Sequence, residues 1–272
     1  MTNEHDLTRE TLSKVPAVTL GFWIIKILAT TLGETGGDTL SMTFNLGYLL
    51  STAIFVVPLV ALIIWQVRAR AFHPALYWAT IIASTTAGTT MADFATRSIG
   101  IGYPGGASLL FALVLASLLV WHRTIGTVSV NRIASPRAET FYWITITFSQ
   151  TLGTALGDWA ADTGGLGYLG GAALFGGALL VLAVLYLTTN ANRVALFWAA
   201  FVLTRPLGAT VGDFLDKPLA DGGLALSRPI ASLVLLAAVA VLVWLIPQRA
   251  GSHPGDDPQA GSEKHGRAIR PQ

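Results

Sequence analysis

Charged and polar side chains recur at helical spacing within segments of this 272-residue chain that are otherwise apolar. Lys26, Glu34 and Asp38 are separated by multiples of four residues, so in a helix they lie along one face. Arg205 and Gln150 occupy comparable places in two other apolar segments. Because ionisable groups inside such segments are costly, they point to function. We interpret these five residues, together with Asp93, Asp158 and Asp213, as a candidate path for an ion or substrate. The structural alternative is an ion pair between Glu34 and one of the two bases that fixes helix packing.

A tryptophan is followed fifteen residues later by an aspartate at four places in the chain, with a glycine ten residues after each tryptophan. The pairs are Trp23 and Asp38, Trp78 and Asp93, Trp143 and Asp158, and Trp198 and Asp213. Successive tryptophans are 55, 65 and 55 residues apart. This periodicity predicts four tandem repeats of two helices each, and because two is an even number, all four share one orientation in the membrane.

The repeat brings its four aspartates to a common depth. Fifteen residues of helix rise roughly 22 Å, so tryptophans that anchor the helices at the cytoplasmic interface would place the aspartates near the outer edge of the hydrocarbon. Asp38, Asp93, Asp158 and Asp213 could then form a ring of carboxylates that binds a metal ion, and oxygen ligands favour hard cations such as Mg²⁺, Mn²⁺ or Ca²⁺. The alternative is that each aspartate caps a helix.

The composition excludes a water-soluble protein and a nucleic-acid-binding protein. Hydrophobic residues make up 53% of the chain and charged residues 12%, against about 25% charged residues in an ordinary soluble domain. We therefore predict an all-α, polytopic membrane protein with eight transmembrane helices. The predicted spans are 18–37, 46–65, 75–94, 103–121, 139–158, 167–187, 194–213 and 227–246.

Lysine and arginine in the short loops set the predicted orientation. Twelve lie on one side of the predicted membrane domain and three on the other, which places both termini in the cytoplasm. We predict a cytoplasmic segment at 1–17, a membrane domain at 18–247 and a disordered cytoplasmic tail at 248–272. The four repeats are expected at about 18–70, 71–125, 136–190 and 191–247.

The sequence lacks the residues that several kinds of chemistry require. The chain has no cysteine, its five histidines fall in predicted tails or cytoplasmic loops, and it has no Gly-Lys pair for a P-loop. We therefore expect no cofactor and no enzymatic activity.

The pattern Trp-x9-Gly-x4-Asp, repeated over residues 18–247, resembles a family of bacterial membrane proteins. That family is built from four tandem two-helix repeats of unknown function, each with a characteristic tryptophan. The resemblance implies the fold and a location in a bacterial membrane, and it implies no activity.

The residues favour a transporter or channel-like protein for a small cation or solute, driven by an ion or proton gradient. A non-catalytic assembly or sensor protein is one alternative. An intramembrane lipid-modifying enzyme, with Glu34 and an aspartate as acid and base, is another. The expected partners are the lipid bilayer of the inner membrane and the transported cation or solute, with no nucleic acid; the oligomeric state is not predicted.

Overall fold

The chain folds into eight α-helices, as seen in a computed structural model that describes residues 13–130, 133 and 135–251. In chain order they are α1 (Leu20–Asp38), α2 (Gly47–Arg68), α3 (Pro74–Asp93), α4 (Gly102–Ile125), α5 (Pro136–Asp158), α6 (Gly167–Thr188), α7 (Arg193–Asp216) and α8 (Arg228–Leu245). Each helix coincides with a predicted span to within a few residues. An N-cap begins α5, where the Ser135 hydroxyl accepts a hydrogen bond from the amide of Ala138.

The odd-numbered helices form a closed ring. Each of α1, α3, α5 and α7 packs against the next, and α7 packs against α1. The even-numbered helices lie outside this ring, each against the first helix of the following repeat, and α8 closes the circle by packing on α1. The sequence explains this division, because the odd helices carry polar side chains along one face, whereas the even helices are almost wholly apolar. In α6 the buried residues are Gly171 and Phe175, whereas most of the residues of α5 are buried.

Small residues let neighbouring ring helices approach closely. The glycine ten residues after each tryptophan faces the residue seven positions after the tryptophan of the next repeat, and this relation runs around the whole ring. The four contacts are Gly33 with Thr85, Gly88 with Gln150, Gly153 with Arg205, and Gly208 with Thr30. A Cβ atom added at Gly88 would lie 3.0 Å from the backbone carbon of Gln150. A second small residue follows four positions later in each helix, which gives the spacing typical of close helix packing in membranes.

The repeat aspartates lie at or near the outer ends of the ring helices. In the first three repeats the aspartate is the last α-helical residue, and a π-helical segment follows at Thr39–Thr43, Phe94–Ser98 and Trp159–Thr163. In the fourth repeat the α-helix continues to Asp216, and a 3₁₀ turn follows at Leu219–Asp221. This departure coincides with a longer connection, because α8 begins 15 residues after Asp213, whereas α2, α4 and α6 each begin nine residues after their aspartate.

The described ends of the chain lie side by side. The amide of Ala17 donates to the carbonyl of Arg249 over 2.8 Å, and the amide of Gly251 donates to the carbonyl of Val15 over 2.9 Å. These two described ends therefore share one side of the molecule, as an even number of helices between them requires. Most of the predicted N-terminal segment, and the predicted tail from residue 252 onward, fall outside the described residues.

Five helices are long and apolar enough to cross a membrane, namely α2, α4, α6, α7 and α8. The other three, α1, α3 and α5, contain 19, 20 and 23 residues, and their polar side chains lower their hydropathy. Those side chains face the interior of the ring, so the outer helices supply most of the lipid-compatible surface. The fold is therefore that of an all-α, multi-pass membrane protein.

Candidate functional site

Four layers of side chains fill the interior of the ring. We name them the +3, +7, +11 and +15 layers, after their distance in sequence from the repeat tryptophan. They contain Lys26, Ile81, Ile146 and Phe201 (+3); Thr30, Thr85, Gln150 and Arg205 (+7); Glu34, Thr89, Thr154 and Ala209 (+11); and Asp38, Asp93, Asp158 and Asp213 (+15). None of these side chains belongs to a residue more than 3% exposed. All eight residues of the predicted path therefore lie in one buried column.

The four aspartates of the +15 layer are joined in pairs by two basic side chains. Arg97 Nε lies 2.9 Å from Asp93 Oδ1, and its Nη2 lies 3.1 Å from Asp158 Oδ2. Lys217 Nζ lies 3.0 Å from Asp213 Oδ1 and also contacts Asp38 Oδ2. We call these two groups the clamps.

The clamps are equivalent by the internal symmetry of the chain. Arg97 and Lys217 each follow their repeat tryptophan by 19 residues and are 120 residues apart. Sequence reasoning counted both as loop residues and missed them as site residues. Their i, i+4 spacing from an aspartate was the available signal.

The clamps also explain how aspartates are tolerated at the C-terminal ends of helices, where the macrodipole disfavours negative charge. The side chains of Asp38, Asp93 and Asp158 make no capping hydrogen bond within the described part of the chain. The compensation comes instead from the cations, of which Arg228 is a third, 3.8 Å from Asp38 and 3.4 Å from Asp216.

Arg97 and Lys217 lie beyond the ends of their helices and remain protonated at physiological pH. Burial acts to lower the pKa of Arg97, but the carboxylates of Asp93 and Asp158 raise that pKa above its usual value. Burial opposes the charge of Lys217 as well, and Asp213 and Asp38 hold the pKa of Lys217 well above its usual range. Deprotonation of the base is therefore not a route by which either clamp opens.

Arg205 connects the +7 and +11 layers across the ring. Its Nη2 lies 3.0 Å from Glu34 Oε2 and also donates to the hydroxyls of Thr89 and Thr154. Of the two bases considered for Glu34, the structure thus pairs it with Arg205. Lys26 lies further inward, where its Nζ donates to Gln150 Oε1 over 3.4 Å.

Three carboxylates converge at the junction of the first and fourth repeats. Glu34, Asp38 and Asp213 each place an oxygen within 4.8 Å of the other two, and all three residues are buried. Such oxygens are suitable ligands for a hard cation. The metal site formed by the ring of four aspartates stays a prediction. Two of these aspartates, Asp38 and Asp213, lie close to Glu34.

An aromatic layer lies at the end of the column opposite the four aspartates, which is the predicted cytoplasmic end. The aromatic residue that precedes each tryptophan packs on the tryptophan of the next repeat. The ring centroids are 5.5 Å apart for Phe22 and Trp78, 5.6 Å for Tyr77 and Trp143, 6.2 Å for Tyr142 and Trp198, and 5.8 Å for Phe197 and Trp23.

This packing buries most of the repeat tryptophans, and their role as membrane-interface anchors stays a prediction. Trp78, Trp143 and Trp198 are at most 5% exposed, because their rings join helices of the ring to one another. Trp23 is half-buried. The tryptophans thus hold the helix ring together from within.

Four equivalent helix pairs around a buried, charged column define a multi-pass membrane protein built by internal repetition. The chain belongs to the family described as Repeat of Unknown Function (DUF347), whose repeat matches it four times in tandem, at residues 21–72, 76–127, 141–192 and 196–249. The fourfold repetition predicted from the tryptophans is thereby confirmed. Neither the curated proteins nor the solved structures contain a match to the chain.

Proposed function

We propose that this protein is a transporter or channel-like protein for a small cation in the inner membrane of a bacterial cell. The cation would follow the column enclosed by α1, α3, α5 and α7. The observation that carries the proposal is the convergence of five buried carboxylates, Glu34 and the four repeat aspartates, with basic side chains as their counter-ions. The proposal assigns no catalytic step to these residues.

The energetics of buried charge support a functional role for this column. Replacing a buried ion pair by well-packed apolar residues is often neutral or stabilising, so ion pairs are an inefficient way to hold helices together. The aromatic layer and the close glycine contacts already join the four ring helices. A chain that needed just a rigid ring has no use for seven charged side chains in its layers, which makes a role in permeation the better explanation.

The placement of the clamps suggests how the column would open. Each clamp joins the first half of the molecule (α1–α4) to the second half (α5–α8): Arg97 reaches Asp158, and Lys217 reaches Asp38. In transporters built from parallel repeats, the halves rock against each other about a central site. The same movement here would separate both clamps together and expose all four aspartates to the outside.

A cation that enters can replace the basic side chain that leaves. When Lys217 withdraws from Asp38 and Asp213, those carboxylates need another positive charge, because unpaired charges are costly in a dry interior. Carboxylate ligands favour protons, Na⁺ or hard divalent ions over copper or zinc. An organic cation could use the same carboxylates. The energy for transport would come from an ion or proton gradient.

The test is cation flux into proteoliposomes that contain the purified protein. Mg²⁺, Mn²⁺, Ca²⁺, Na⁺ and protons are offered one at a time across a gradient, with ion-sensitive dyes inside the vesicles. We expect one of these ions to enter. Asp38→Asn and Asp93→Asn should each reduce that flux at least about tenfold, since each removes a charge but keeps the shape of the side chain.

Asp221→Asn is the matched control, because Asp221 lies exposed in the loop after α7. It should transport as the wild type does. Absence of flux for every ion, or normal flux in both buried variants at equal protein content, would refute the proposal.

A further inference from the structure

The inner part of the column holds more hydrogen-bond donors than acceptors. The guanidinium of Arg205 directs a single nitrogen, Nη2, to Glu34, Thr89 and Thr154. Its Nε and Nη1 atoms are buried and find no hydrogen-bond partner among the residues that the structure describes. Arginine carries five N–H groups, and three of them belong to these two atoms. The side chain is 0% exposed, so bulk water does not satisfy them.

Two neighbours of Arg205 share this imbalance. Gln150 uses its amide oxygen to accept from Lys26, while its amide nitrogen is buried without a partner in the described ranges. Lys26 faces that amide oxygen at 3.4 Å and the ring of Phe201 at 4.1 Å, and neither partner carries a full negative charge. Donors from three helices of the ring, α1, α5 and α7, therefore remain available at this level.

The charges in these inner layers do not balance either. Lys26 and Arg205 bring two basic groups to the +3 and +7 layers, whereas Glu34 of the +11 layer brings one carboxylate, which pairs with Arg205. A buried N–H group without an acceptor costs about 1–3 kcal/mol, and more if it is charged. A group that both accepts hydrogen bonds and carries a negative charge would remove both deficits at once.

We infer that the +3 and +7 layers bind one small monovalent anion, held by Lys26, Gln150 and Arg205. The chemistry fits an inorganic anion such as chloride and equally the carboxylate of a small solute. The site is distinct from the carboxylate-rich +11 and +15 layers, and the inference does not depend on transport. The column would then bind opposite charges at two levels.

The first experiment measures the thermal unfolding midpoint of the purified protein at constant ionic strength while chloride replaces gluconate, an anion too large for a closed interior. We expect the midpoint to rise and to saturate with chloride, as binding to the folded state requires. Formate in place of chloride probes the carboxylate source. If formate raises the midpoint at lower concentration than chloride does, the carboxylate of a solute is the better ligand.

Substitutions test whether the chloride-dependent rise in the unfolding midpoint comes from the proposed anion site. Gln150→Leu should weaken the apparent chloride affinity at least about tenfold, the loss expected for one hydrogen bond to a charged group. Lys26→Met should abolish the chloride effect. Gln66→Leu is the matched control, because Gln66 is also a buried glutamine but lies on α2 outside the ring, where it donates to the carbonyl of Lys14. It should respond to chloride as the wild type does.

A wild-type midpoint that is the same in chloride and gluconate would overturn the inference and leave ordered water as the partner of the donors. Equal chloride effects in all three variants would also overturn it, because they would indicate a general salt effect. If Gln150→Leu and Lys26→Met do not fold, crystals of the wild-type protein grown in bromide decide the question. Anomalous density between Lys26 and Arg205 supports the anion site, and its absence there refutes it.

Discussion

The substitution Gly208→Ala should strongly destabilise the ring, because Gly208 lies at a close approach of α7 to α1. A Cβ atom at this position would lie 2.6 Å from Thr30 Cβ and 2.8 Å from the backbone carbonyl carbon of Thr30. Ordinary contacts between carbon atoms are about 3.5–4.0 Å. A rotamer change cannot move the backbone carbon, so the two helices must separate locally by roughly 1 Å to restore such contacts.

The expected magnitude follows from this displacement. Forcing an extra methyl group into a close-packed interior costs typically about 1–3 kcal/mol, and we expect the upper half of that range because backbone atoms resist the shift. The same separation would stretch the 3.0 Å contact between Glu34 and Arg205, which joins α1 to α7 one turn away. Gly208→Ala should therefore impair both stability and any activity of the column.

The assay is the free energy of unfolding of the protein in lipid discs, with Gly177→Ala as the control. Gly177 lies on α6, and a Cβ atom there would meet nothing within 4 Å. Replacing a glycine in an open helical position by alanine changes stability by up to about 1 kcal/mol in the favourable direction. If the two variants have equal unfolding free energies, α1 and α7 do not approach as described, and the reasoning about the ring is wrong.

Three further predictions follow from the charged groups and the topology. Arg205→Met should lower the unfolding free energy by about 3–5 kcal/mol because Glu34 loses its partner. Adding Glu34→Gln to this variant should restore part of the lost free energy. If the losses of the two substitutions are fully additive, the two side chains do not interact. Burial alone would lower the pKa of Arg97, but the carboxylates of Asp93 and Asp158 raise that pKa above the usual value of an arginine. The stabilising effect of Arg97 is therefore fully present at any pH below the usual value. The difference in unfolding midpoint between wild type and Arg97→Gln should thus not shrink from roughly pH 8 to 10; a difference that shrinks across this range would contradict the assignment. Reporter fusions in the loops that follow the odd helices should all be external, and two cytoplasmic signals would refute the topology. The fusion sites are Ser41, Ser98, Thr163 and Gly222.

Local spacing accounts for what the sequence alone could predict about the fold. The recurrence of tryptophan, glycine and aspartate at fixed intervals predicted the number of repeats and their common orientation. The spacing of Lys26, Glu34 and Asp38 in multiples of four residues predicted that they share a face of α1. Periodicity within one helix is enough for such conclusions, because helix geometry fixes which residues lie together along it.

The partners of the charged groups were decided by the tertiary structure. Lys26 and Arg205 were equally good partners for Glu34 in sequence, and the closure of the ring, which brings α7 against α1, selects Arg205. Arg97 and Lys217 looked like loop residues until the turns after α3 and α7 placed them over aspartates of two repeats. Ion pairs and aromatic contacts depend on distances between helices, and spacing along a single helix does not encode those distances. For the same physical reason, the burial of Trp78, Trp143 and Trp198 followed from ring packing, although the presence of a tryptophan in each repeat was plain in the sequence.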